Sequence, residues 1–227
     1  MPWTRAASLS TVCAPVRGRY DAQCVGQDGD TVGIRADYVQ QLYCEALLEL
    51  SETMPLEKVT VTAIIQRAGT ARQTFYNHFR DINDLISYLP INFLRERSTG
   101  DLYDFDAVGI AYDYAREHRA FFRQLPGHAG QNNFRESFIL WLEESYYHVY
   151  TSDDMQPDER MYRMIAIDTY VSGVTDVFLE WCKADFSWPL DVLLRAQEDC
   201  APPFVRERDI RRADPVAFLQ ESPRSQA

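Results

Sequence analysis

Residues 57–89, EKVTVTAIIQRAGTARQTFYNHFRDINDLISYL, constrain the fold of this chain more than any other stretch. Val61, Ile64, Ile65 and Ala68 fall at i, i+3, i+4 and i+7, one stripe of a short helix. Thr60, just before them, carries the side-chain oxygen that an N-cap needs. Gly69 stands where a helix must pass through the left-handed region to stop, and the spacing restarts a helix at Thr70 or Ala71. In that second helix Phe75 and Phe79 share one face, while Arg72, Gln73, Thr74, Tyr76 and Asn77 cover the rest. Asp81 is placed to cap a further helix, with Asp84 at its third position and Ile82, Leu85, Ile86 and Leu89 as its stripe. Two short helices crossed at a corner of three or four residues form a shape that lays one helix in a DNA groove.

The pattern T-V-x-x-I-I-x-x-A-G-T-A-R-x-T-F-Y-x-H-F, from Thr60 to Phe79, resembles the helix-turn-helix of TetR-family transcriptional regulators. The Ala-Gly corner, the T-F-Y triplet and the His-Phe pair occur together at that family's spacing, and the resemblance extends over about residues 36–89. One departure stands out. The family usually opens its fourth helix with a Lys that meets a phosphate, and this chain has Ile82 there, with Arg80 the nearest replacement.

The side chains on the second helix suit DNA contact. Arg72, Gln73 and Thr74 are the candidates for base contact, Arg being suited to guanine and Gln to adenine. Thr60, Tyr76, Asn77, His78 and Arg80 are the candidates for phosphate contact, and Thr70 at the corner joins the set. Arg35 stands where TetR-like proteins often carry a basic residue near the DNA backbone; a purely solvated Arg35 is the equal alternative. The supporting helix is expected from about Ala36 to Glu52, with Val39, Leu42, Tyr43, Ala46, Leu47 and Leu50 on its inner face. A small core of Leu42, Leu47, Ile64, Phe75 and Phe79 follows.

The net charge of -11 argues at first against nucleic acid, since DNA binding draws on phosphate neutralisation. The distribution of that charge points the other way. From Lys58 to Arg80 there are four basic residues and no acidic one, and most of the acidic excess lies after residue 90. Modest non-specific affinity and steep salt dependence are expected.

Beyond residue 90 the period stays helical, with helices expected at about 102–117, 119–126, 131–151, 158–184 and 189–199. The aromatic residues there include Tyr103, Phe105, Tyr114 and Tyr147, and a core built from aromatics is the favoured reading for any one of them. The family resemblance makes some of them the wall of an effector pocket, for which Tyr112, His118, Phe122, Phe138 and Trp141 are the candidates. The apolar positions of 158–184 wrap more than one face, so that helix is expected to bury one side in its own domain and one against a second subunit. Tyr170, Gly173, Val174, Val177 and Trp181 are the candidate interface. Its end, with Ser-Trp-Pro-Leu following, loosely resembles the DhaS-like subgroup of the family.

Composition closes other classes. No apolar run is long enough for a membrane span, and the N-terminal residues lack the core of a secretory signal. Cysteines 13, 24, 44, 182 and 200 contain no C-x-x-C, so reduced cytoplasmic thiols are expected and no metal or cofactor is assigned. Glu143-Glu144 and Asp153-Asp154 diverge on a helix, so no catalytic site is expected.

The expected architecture is all-α. It comprises a disordered leader over 1–34, a helix-turn-helix DNA-binding domain over 35–89, a helical effector-binding and dimerisation domain over 90–200, and a loosely attached polar tail over 201–227. The resemblance implies a cytoplasmic homodimer that binds a palindromic duplex and represses until an effector releases it. The alternative is an adaptor that keeps the helix-turn-helix fold but acts through a protein partner.

Overall fold

A computed structural model describes residues 30–97, 105–128 and 133–207, with the side chains of 30–37, 97 and 105–108 excepted. Cys13, Cys24, Tyr103, the side chains of Arg35 and Phe105, residues 1–29 of the expected leader and 208–227 of the expected tail lie outside the described residues. Among the described residues every regular element is a helix. The chain divides into a unit Met1–Val39 and a unit Gln40–Ala227; the packing described below is that of the second.

Helix α1 spans Asp30–Ser51 and so begins six residues earlier than the spacing suggested. Arg35 therefore lies within the helix and not ahead of it. After a single 3-10 turn at Leu56–Lys58, α2 runs Val61–Ala68 and α3 runs Arg72–His78. Thr60 caps α2 as expected, its side-chain oxygen accepting from the Ala63 amide at 3.2 Å. Gly69 adopts φ 66°, ψ 34°, which lets the Thr70 amide reach back to the Ile65 carbonyl at 3.0 Å. That closure needs a left-handed residue, the conformation glycine adopts without steric cost.

The core of this three-helix unit is centred one residue away from where the apolar pattern put it. Leu42 is only half-buried, whereas Tyr43 is fully buried. Its ring meets Phe75 edge-on at 5.3 Å and Phe79 at 6.0 Å, and its hydroxyl is 2.9 Å from Thr70 Oγ1. An amphipathic ring can serve both the apolar centre and a polar corner, which a leucine cannot.

Helix α4, Ile82–Arg97, is capped by Asp81, whose carboxylate accepts from the Asp84 amide at 2.9 Å. Asp84 in turn accepts from the Arg80 amide at 3.0 Å. The helix does not stop at Leu89 but continues through Pro90, and Leu85 to Ile91 are buried without a break.

The remaining helices are α5 Phe105–Glu117, α6 Arg119–Phe122, α7 Phe134–Tyr150, α8 Pro157–Lys183 and α9 Leu190–Cys200. The helix expected over 119–126 is thus a single α-turn followed by a 3-10 turn at Leu125–Gly127. Pro157 occupies the first turn of α8, where a missing amide costs nothing, while Pro189 sits one residue ahead of α9. Helices α7 and α8 pair along their length. Arg135 holds Asp176 through two bonds of 2.6 and 2.9 Å, and the Tyr147 hydroxyl donates to Asp168.

The expectation of a loosely attached tail fails over 201–207. Ala201, Pro202 and Val205 are buried, and Ala201 and Val205 belong to one cluster with Tyr146, Tyr150, Ile167, Tyr170 and Val171. Phe204 packs beside Tyr150 at 5.7 Å and beneath the Arg163 guanidinium at 4.9 Å. The polar residues that make this segment look detached face outward, and its few apolar ones reach the core.

Candidate nucleic-acid interface and effector cavity

Helix α3 buries Phe75 and presents Arg72, Gln73, Tyr76 and Asn77 to solvent. Their side-chain hydrogen bonds among the described residues run only to one another, one turn apart, while the Tyr76 ring also meets Phe75 edge-on at 5.5 Å. An Arg72 Nη donates to the Tyr76 hydroxyl at 3.2 Å, with the guanidinium 5.5 Å from the ring centre. Gln73 Nε2 donates to Asn77 Oδ1 at 3.1 Å. Such exposed intrahelical pairs contribute only about 0.2–0.5 kcal/mol each, so an incoming phosphate or base edge can replace them at little cost.

The other sequence candidates are less free. Thr70 is tied to Tyr43, and Thr74 is half-buried. Thr60 accepts as the α2 cap, which leaves its hydroxyl hydrogen to donate outward. His78 lies half-buried against Tyr43 and Phe79, and burial lowers its pKa below the ordinary 6.5, so at neutral pH it is an uncharged hydrogen-bonding group. The positive charge is thinner than the residue count implies. Arg67 pairs with Glu49 from α1, and Arg80 Nε lies 3.6 Å from Asp84. Among the described residues, Lys58 and Arg72 are the cations of this stretch that no carboxylate offsets. Glu49 lies outside the motif, so counting charge within it missed the pairing.

A second site lies behind α4. An apolar cavity of about 90 Å³, partly open to solvent, is lined by residues of α4, α5, α6, α7, α8 and α9. Of the five expected wall residues, Tyr112, Phe122, Phe138 and Trp141 line it. His118 does not; it packs edge-on against Tyr114 at 4.5 Å. Gln197, which the sequence pattern did not single out, supplies a polar wall atom, its amide donating to the Tyr112 oxygen. Its place four residues after Leu193, on the apolar face of α9, was the available signal.

On α8, Ile167, Val171, Thr175, Phe178 and Trp181 turn inward, whereas Met161, Tyr162 and Ile165 are 57%, 53% and 59% exposed. Gly173 and Val177 share the exposed side and Val174 is half-buried. Two expected interface residues belong to the core instead. Trp181 is fully buried against Tyr112 and Phe186, its indole N–H donating to the Trp188 carbonyl at 3.2 Å, and Tyr170 packs on Tyr146. Their large rings fill space inside the subunit that an interface could not use. Among the described residues no group of three His, Cys, Asp or Glu side chains is assembled to hold a metal, and no helix is long and apolar enough to cross a membrane.

Residues 45–89 match the family described as bacterial regulatory proteins, tetR family. They form a TetR-family domain. That span takes in the end of α1, all of α2 and α3, and the first half of α4, so the TetR-family match coincides with the corner geometry described above. The HTH-type dhaKLM operon transcriptional activator DhaS of Lactococcus lactis subsp. lactis (strain IL1403) is 25% identical over 107 residues, 46% of this chain and 56% of that one. The match thus spans little more than half of that relative. Among solved structures, the dihydroxyacetone kinase operon activator DhaS overlays at TM-score 0.48 and 18% identity, covering 71% of this chain and 91% of its own. The TetR family repressor AlkX from Dietzia sp. strain DQ12-45-1b overlays at TM-score 0.42 and 16% identity, covering 73% and 94%.

Proposed function

We propose that this protein is a cytoplasmic, sequence-specific DNA-binding transcriptional regulator that acts as a homodimer and is released from its operator by a small molecule in the cavity. The observation that carries the reading is the solvent face of α3, where the side-chain hydrogen bonds of Arg72, Gln73, Tyr76 and Asn77, among the described residues, run only among themselves beside a left-handed Gly69 corner. A helix held that way can enter the major groove, with Arg72 and Gln73 reading bases and Tyr76, Asn77, Thr60 and Arg80 meeting phosphates.

The exposed stripe of α8, Met161, Tyr162, Ile165, Gly173 and Val177, supports a second copy of the chain as the partner. A Cβ at Gly173 would meet nothing within 4 Å in its own chain, so a neighbouring helix can come close there. Tyr170, Val174 and Gln197 line both the cavity and the groove beside this stripe. An occupant of the cavity therefore pushes on the wall that faces the partner. Two recognition helices must sit about 34–36 Å apart to meet successive half-sites, so a change in that wall alters affinity. The relative DhaS is named as an activator, and repression by this chain rests on the family resemblance alone.

The adaptor reading draws its support from the ion pairs at Arg67 and Arg80 and from Ile82, which reduce the charge available to phosphates. Selection from a pool of random duplexes at low and moderate salt, followed by sequencing, separates the two. An enriched palindrome supports the regulator; no enrichment, with binding that disappears as salt rises, points to the adaptor.

A further inference from the structure

Resting on the reading of the cavity as the effector pocket, we infer that its ligand is a small, uncharged, mostly apolar molecule of no more than one ring, carrying one hydrogen-bond acceptor recognised by the Tyr112 hydroxyl. Three observations converge on that class.

The first is size. The cavity holds about 90 Å³. An engineered apolar cavity of about 150 Å³ in another protein takes up benzene. A single ring, with neighbouring side chains giving a little, is therefore the largest body this space admits.

The second is shape and polarity of the wall. Phe134, Phe138 and Trp141 follow one another on the inner face of α7 with nearly parallel rings, 5.0 Å and 22° apart, then 5.8 Å and 24°. They form an offset stack, whose free edges and end face give the cavity an aromatic wall that a ligand ring can pack against. No charged side chain among the described residues lines the cavity. An ionised ligand would lose its hydration with no counter-charge in return, and a polyol would leave hydroxyls unpaired.

The third is the polar handle. Gln197 donates to the Tyr112 oxygen, which leaves the hydroxyl's own hydrogen to be given away. Burial pushes the Tyr112 pKa up, so the group stays a protonated donor at every physiological pH. A ligand oxygen placed there completes a chain from the Gln197 amide through Tyr112 to the ligand. That chain ties the occupant to α9 through the Tyr112 hydroxyl of α5.

The test is calorimetric titration of the full-length protein, without DNA, using phenol, toluene, benzoate, glycerol and 1-naphthol. Phenol and toluene are expected to bind; benzoate, glycerol and 1-naphthol are not. Tyr112→Phe should weaken phenol about fivefold while leaving toluene within about twofold, the loss of one neutral hydrogen bond. Ala111→Leu adds carbon atoms to the cavity wall and should abolish binding of both. Benzoate, glycerol or 1-naphthol binding as tightly as phenol overturns the proposal. So does a Tyr112→Phe variant that loses both ligands equally, or an Ala111→Leu variant that keeps them. Duplex selection is run separately without these probes. A chain that binds phenol but enriches no duplex loses the regulator reading and keeps the ligand class; one that enriches a palindrome but binds neither phenol nor toluene does the reverse.

Discussion

The Leu56 amide donates to Gln124 Oε1 at 2.8 Å, joining residues 68 positions apart. The same side chain donates from Nε2 to the Ser51 carbonyl at 3.3 Å and to the Ala120 carbonyl at 2.6 Å. One glutamine beyond α6 thus satisfies backbone groups at the end of α1 and within the link that leads to α2. Gln124→Met keeps the length and removes every one of these bonds. Urea unfolding should show a loss of about 1–3 kcal/mol, the cost of a buried polar group left unpaired. Unchanged stability would mean that water replaces the glutamine without penalty.

Gly69 offers a cleaner test of backbone cost. A Cβ there would meet nothing within 4 Å, so steric crowding from other residues does not enter. Gly69→Ala should lose about 1–2 kcal/mol from the left-handed conformation alone, and Gly69→Asn should lose less. Thermal or urea unfolding of the pair checks this; equal effects for both variants would count against a conformational origin.

Arg72 contacts only Tyr76 on its own helix, so its removal should hardly move stability. Arg72→Ala is expected to shift unfolding by less than about 0.5 kcal/mol. It should cost about 1–3 kcal/mol of affinity for the selected duplex if a bidentate base contact is lost. Fluorescence anisotropy with selected and scrambled duplexes reads both affinity and preference. An unaltered preference would move base reading elsewhere on α3.

Ile165→Glu places a charge in the middle of the exposed α8 stripe without touching the core. Sedimentation should then show monomers at concentrations where the parent chain is dimeric, with the melting curve of each subunit's core retained. If the parent chain is itself monomeric at tens of micromolar, the stripe is not a self-interface.

Acid should destabilise the fold well above the carboxylate range. Burial depresses the pKa values of His78, His118 and His128 below the ordinary 6.5, and His128 Nδ1 is buried without a hydrogen-bond partner. Glu117 and Glu52 act against the shift at His118, and Glu57 acts against it at His128. With folded pKa values below unfolded ones, the unfolded chain binds more protons in that interval. Stability is therefore full above about pH 6.5 and falls as pH drops toward the depressed values. Unfolding midpoints at pH 7.5, 6.5 and 5.5 should decrease, and His128→Gln should flatten the decline. A pH-independent midpoint over that range would refute the histidine origin.

The features that were legible in the sequence are the local ones. Thr60, Gly69, Asp81 and Asp84 act on backbone groups within a few residues, so their spacing alone specified the cap, the corner and the next helix start. Phe138 and Trp141 were wall candidates through the family resemblance alone, and the helical face they share is what brings both to one cavity. Long-range arrangements were not legible. Whether Leu42 or Tyr43 centres the core depends on the direction from which α3 arrives. Glu49 reaching Arg67 and Gln197 reaching Tyr112 depend on how distant helices meet, which no periodicity records. Residues 201–207 misled for a related reason, since three buried small or branched residues among charges carry little signal until the surface they fit is known.

Pro90 gives α4 a fulcrum. Lacking an amide, it cannot bond the Ile86 carbonyl one turn back, so the rod is weakest at that point. The same residue forms part of the cavity wall, while the N-terminal stretch of α4 begins directly after α3. On the proposed reading of the cavity as an effector pocket, an occupant would press where the rod bends most easily, and a small displacement there would grow with distance along the arm toward Asp81.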